Sequence, residues 1–237
     1  MTSTSTPPPN YPRIKLVNSF EELIAAPLAD GVNALCWARA LPGDFGEVVK
    51  ALGAGEGIVT VDYERLRGLA VSAAGHAAIE VLLEDQRRLR EHERDPVLNC
   101  IHEYQRDENP GPVSTDVFSF HADSAPVETD TWLCTYSGAA SEGLRNDEAR
   151  RRVDVPETRA ELLRVFGGAD DDAFREWLNE HCYDLHYAAA PGTRPYSFGV
   201  GNLWRIAVEW PGSTVPPCIH RAPETVPGES ARLLLIS

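Results

Sequence analysis

Apolar and polar positions follow two textures along this chain, and the change falls near Pro96. Before it, apolar residues recur mostly at helical spacing. Ser19 ahead of Phe20-Glu21-Glu22-Leu23 predicts a capped helix start, with Glu22 three residues on completing a capping box, and a short helix to about Ala26. Val32 to Ala40 reads as a strand and Asp44 to Leu52 as a helix. Arg65 to Glu93 is the longest predicted helix, with Ile79, Leu82, Leu83, Gln86 and Leu89 sharing one face. Its end, DQRRLREHERD, interleaves acids with arginines and reads as a solvated face.

After Pro96 the pattern becomes short β-rich runs between Gly, Pro and Asp turns: LNCIHEY, DVFSFHAD, DTWLCTYSG, YDLHYAAA, YSFGV, NLWRIAVEW, CIHRA and ARLLLIS. Such spacing predicts a barrel or sandwich. Residues 156–182 interrupt it with two helical stretches, ETRAELLRVF and DDAFREWLNEHC, whose acids lie at their N-termini as the helix dipole favours. The expected fold class is α+β. Residues 1–12, rich in Ser, Thr and Pro, form a tail without a core. Residues 13–237 form a single domain, with a mainly helical part over 13–96 and a β core over 97–237 that carries the 156–182 insertion.

At 237 residues and 43% hydrophobic content the chain can bury a sizeable core. No apolar run reaches the roughly 18 residues of a spanning helix. The start MTSTSTPPPNYPR lacks the apolar segment of a signal peptide, so a cytoplasmic location and no membrane partner are expected. Five cysteines, an odd number without a CxxC pair, point to reduced buried thiols. A net charge of −14 repels phosphate backbones and argues against nucleic acid as a partner. The oligomeric state is left open.

Candidate chemistry centres on His121-Ala122-Asp123 at the end of DVFSFHAD. In extended chain, residues two apart point to one face, so the imidazole and the carboxylate can reach one metal. His220, in a β run 99 residues on, is placed to complete a two-histidine, one-carboxylate set, which leaves coordination positions open and suits non-haem iron. Arg232 opens the last strand twelve residues later, behind a turn-rich loop, where its guanidinium fork can grip a carboxylate. Of the neighbouring pairs Thr135/Tyr136 and Trp204/Arg205, strand alternation turns one member of each inward without saying which. His181, Cys182 and His186 make a weaker zinc candidate, and Cys100, His102 and Tyr104 share one face of LNCIHEY. No phosphate-binding glycine loop and no GxSxG elbow is present.

The order HxD, long gap, His, then Arg resembles the iron(II)/2-oxoglutarate-dependent dioxygenase superfamily. FHADSAP, LCTYSG, CIHRAPE and ARLLLIS also resemble a bacterial family with the pattern FHxDxxP, LCTYxGxG, HRxP and RLLL. The likeness covers roughly residues 116–145 and 199–237, and Gly201-Asn202 is similar to a turn that precedes a late strand in cupin-like proteins. The resemblance implies a double-stranded β-helix (a cupin-like jelly roll). It further implies iron(II) on His121, Asp123 and His220 as the catalytic set, and 2-oxoglutarate bound to iron and to Arg232, with Tyr136 as a further cosubstrate contact. A small-molecule substrate would be hydroxylated or desaturated, because Asp123 fills the position that halogenases of this superfamily lack. Two alternatives stand beside it: a cupin-like protein that binds a metal or small molecule without turnover, and an iron oxygenase that does not use 2-oxoglutarate.

Overall fold

The computed structural model describes residues 11–108, 110–224 and 230–237. The N-terminal part runs β1 (Ile14–Val17), α1 (Phe20–Ala25), β2 (Ala34–Trp37), α2 (Phe45–Leu52), β3 (Ile58–Thr60), α3 (Tyr63–Arg67) and α4 (Ala73–Glu91). There follow β4 (Val97–Ile101), β5 (Asp130–Ser137), β6 (Glu142–Leu144), β7 (Ala149–Arg151), α5 (Pro156–Phe166), α6 (Asp172–Glu180), β8 (Tyr187–Ala189), β9 (Tyr196–Ser197), β10 (Leu203–Ala207), β11 (Ile219–Arg221) and β12 (Arg232–Ile236). The fold is mixed α+β, dominated by a seven-stranded sheet in the order β1-β2-β10-β5-β12-β4-β3. All its pairings are antiparallel except β1 with β2. A three-stranded sheet has the order β11-β6-β9, and β7 pairs with β8.

Alternation along the central strands splits the core in two. Trp132, Cys134 and Tyr136 of β5 face the helices, packing with Leu82 and Leu89 of α4 and Val48 of α2. Leu133 of β5, Trp204 and Ile206 of β10 and Leu234 of β12 face the other way and pack with Tyr196, Phe198 and Cys218. That second layer joins the large sheet to the small one. A third apolar cluster, built on Leu162, Phe174 and Leu178, holds α5 and α6 together within the expected helical insertion.

The helix starts follow their capping residues. Ser19 Oγ accepts from Glu22 N at 3.1 Å, while the Glu22 carboxylate reaches back to Asn18 N, one residue short of a closed capping box. The single helix expected over 65–93 is two. Gly68 ends α3, and Ser72 starts α4 by accepting from Gly75 N. Buried Asp85 of α4 takes both guanidinium nitrogens of Arg39 at 2.8 Å and the Tyr136 hydroxyl at 2.6 Å, tying the helix to the large sheet.

Further expectations change. DVFSFHAD is not a strand: Asp116 Oδ1 accepts from the amides of Phe118 and Ser119, so the segment turns, and only His121 and Ser124 make isolated bridges. Of the expected tail, residues 1–10 lie outside the described residues, but Tyr11 is buried and donates its hydroxyl to Asn146. The loop expected after His220 falls partly on 225–229, also outside the described residues. Among the described residues no helix is long and apolar enough to cross a membrane.

Candidate metal centre

His121, Asp123 and His220 each offer a ligand atom, and these lie within 4.8 Å of one another. Two of them are joined by the backbone. His121 N donates to His220 O and His220 N to His121 O, both at 2.9 Å, a reciprocal antiparallel pair that sets the two imidazoles side by side with centroids 4.7 Å apart. Asp123 is fixed by Glu209 N donating to its carbonyl at 2.7 Å, and Ala122 N donates to Leu185 O. These bonds do the work that a full strand ladder was expected to do.

The side chains are oriented as well as gathered. His121 Nδ1 lies 2.8 Å from Ser119 O, a contact that only an Nδ1–H can satisfy, so Nε2 is left as the ligand atom. Burial, and then His220, push His121 down to about 4, which keeps the ring neutral near pH 7. For Asp123 burial works upward, but His220, the Thr131 hydroxyl and His121 together outweigh it and hold the carboxyl below its ordinary value. Thr131 Oγ1 donates to Asp123 Oδ2 at 2.6 Å, and His220 Nε2 is 3.9 Å from the same oxygen. Two imidazole nitrogens and one carboxylate oxygen on a half-buried surface could hold a divalent metal ion. No second such group of His, Cys, Asp or Glu occurs among the described residues.

Arg232 is 6% exposed and faces the inter-sheet side of β12. Its guanidinium donates to Tyr104 Oη at 2.8 Å, Thr135 Oγ1 at 2.9 Å and Ser141 Oγ at 2.7 Å, while Nε is buried without a partner. Burial depresses its pKa, and no carboxylate pairs with it among the described residues. Gly138, at φ +81°, lets the chain pass this close, since a Cβ there would stand 3.0 Å from Arg232 Cα. Tyr136 does not join the group. A register shift in the β5–β12 pairing skips it, and its side chain lies on the helix side with its hydroxyl on Asp85, so Thr135 is the inward member of that pair. Likewise Trp204 points between the sheets, while Arg205 turns to the carbonyls at the end of α1.

Three features escape the linear pattern. His181 packs on Trp177 and Tyr183 in the helical insertion, whereas His186 leaves that expected cluster and bridges His121, ring centroids 5.7 Å apart. Burial, then His121 and Arg152, push His186 down to about 4. Arg221 turns away, pairing with Glu142 at 2.6 Å and covering the Phe120 ring. On the other side of His220 the neighbour across the sheet is Gly143, and the Tyr196 ring occupies the space a Cβ there would need.

Compared with family models, curated proteins and solved structures, the chain matches none.

Proposed function

We propose that this chain is a mononuclear non-haem iron(II) oxygenase built on a double-stranded β-helix, using 2-oxoglutarate to hydroxylate or desaturate a small organic molecule. What carries the proposal is the meeting of the His121, Asp123 and His220 ligand atoms within 4.8 Å in a fold whose last strand opens on a buried arginine that has no carboxylate partner among the described residues. The path of the chain supports the β-helix. β4, β5, β10 and β12 lie in the large sheet, and between them His121, β6, β9 and β11 pair in the small one, so the chain passes repeatedly from sheet to sheet.

Iron(II), when bound, supplies the open coordination positions and the redox chemistry by which oxygen and 2-oxoglutarate become succinate, carbon dioxide and an oxidised substrate. The chain's own residues position and shield. His121, with its Nδ1–H held by Ser119 O, presents Nε2 in a fixed direction, and Asp123 is kept anionic and oriented by Thr131. Arg232, fixed by three hydroxyls, is set to take the distal carboxylate of 2-oxoglutarate, a counter-ion that no described residue supplies. Leu133, Trp204, Ile206 and Leu234 pack between the sheets and keep that interior apolar.

The test is anaerobic titration of the metal-free protein with iron(II) and then 2-oxoglutarate, following the visible charge-transfer band of an iron-chelated 2-oxo acid. The band is expected in the parent and absent in His121→Ala and Arg232→Ala. Iron binding without a band would remove 2-oxoglutarate and leave a direct oxygenase or a binding protein, whereas undiminished iron binding by His121→Ala would overturn the ligand set.

A further inference from the structure

The two histidines of the metal centre belong to a longer row. Across the small sheet His220 is paired with His121 on one side and with Gly143 on the other, and Gly143 with Tyr196. Beyond His121 the row continues to His186 through a second antiparallel bridge. The β7–β8 register then extends it by one step, since Arg152, the residue after β7, donates its N–H to His186 O at 2.8 Å. Residues directly opposite in antiparallel pairs project to the same face. His186, His121 and His220 therefore present their side chains side by side, and Arg152, which opens a short 3-10 turn, is joined to His186 by that backbone bond.

The outer two each keep one buried side-chain nitrogen without a partner among the described residues. His186 is 5% exposed, and its Nδ1 is buried without a hydrogen bond. Arg152 Nε is likewise buried and without a hydrogen-bond partner among the described residues. Asp116 is the acid whose field reaches both His121 and His186, but its Oδ1 is engaged by the amides of Phe118 and Ser119. A buried nitrogen without a partner costs stability unless something else satisfies it, and the Arg152 guanidinium beside a His186 ring whose Nδ1–H tautomer can donate suits a carboxylate next to the candidate metal site.

We propose that Arg152 and His186 form an anchoring subsite for a carboxylate on the primary substrate, next to His121 and separate from Arg232. It extends the proposed function by naming the substrate class, an organic acid held by its carboxylate while a neighbouring C–H group faces the metal centre. Arg152 and His186 are positioning residues in this scheme.

The experiment titrates metal-free, 15N-labelled protein with benzoate, and with benzamide as its uncharged isostere, reading side-chain Nε–Hε signals of arginine and the imidazole signals. Benzoate is expected to shift Arg152 and His186, and Arg152→Gln to weaken its binding about 10- to 100-fold, as loss of a charge-assisted hydrogen bond implies. Benzamide should bind the parent no better than benzoate binds the variant. Arg152→Lys keeps the charge but loses the fork, and serves if the Gln variant does not fold; it too should bind benzoate more weakly than the parent. Equal benzoate affinity in the parent and the folded variant, or shifts confined to Arg232, would overturn the subsite. Because no metal is present, this result is independent of the iron titration: the subsite can fail while the iron assignment holds, and the reverse.

Discussion

Thr131 touches no prospective ligand to the metal other than Asp123, yet its hydroxyl decides how that carboxylate stands. Replacing it with valine keeps the shape, removes the donor, and leaves Asp123 Oδ2 free to turn. Outer hydrogen bonds of this kind are typically worth 10- to 100-fold in metal affinity. Thr131→Val should therefore weaken iron(II) binding by about that factor, measured by competition with a chelator, and lower the stability of the metal-free protein by about 1–3 kcal/mol, the cost of leaving a buried carboxylate short of a donor. At the same scale the sequence is legible only in part. The two-residue spacing puts His121 and Asp123 in reach of one centre, but Thr131, Ser141, Tyr104, His186 and Arg152 meet the site through register and sheet packing, which no linear spacing encodes. Tyr136 shows the limit from the other side: alternation demands that one of Thr135 and Tyr136 point inward, and the phase is set by packing against α2 and α4.

Among the elements, α4 is held to the large sheet by more than apolar contact. Asp85 lies on its buried face, with side chains of Arg39 and Asp85 only 7% and 4% exposed. Removing one member of a buried pair strands the other charge, at a cost of about 3–5 kcal/mol. Asp85→Ala should lose stability in that range by urea unfolding, whereas Arg87→Ala, on the exposed face of the same helix, should change it by less than about 1 kcal/mol. The starts of α1 and α2 are legible because Ser19 and Asp44 cap them, whereas the Ser72 cap that begins α4 lies inside the single helix expected over 65–93. The segment before His121 was not, since DVFSFHAD has strand composition and only the Asp116 side chain, by bonding amides two and three residues on, turns it.

For the whole molecule, the candidate ligands come from segments about 100 residues apart that are joined by one reciprocal backbone pair. A metal bound there stabilises only the folded state, so iron(II) or cobalt(II) at about 100 times its dissociation constant should add about 2.7 kcal/mol. That corresponds to a rise in melting temperature of roughly 5–10 °C for a chain of this size, read by calorimetry and absent in His121→Ala. The alternation of β runs after Pro96 shows that strands dominate this half; the path that carries them between two sheets depends on pairings such as β12 between β4 and β5, made by residues remote in sequence. Gly143 gives the assembly one further property. The Tyr196 ring lies where its side chain would be, stacked on Phe198, which in turn lies 6.3 Å from the His220 ring and 4.3 Å from Trp204. A single added methyl group at 143 would have to push that aromatic column toward the imidazole. The spacing of the candidate ligands thus depends on the room Gly143 leaves, and a random screen for lost iron(II) binding should return this glycine, which bears no chemistry at all, alongside His121, Asp123 and His220.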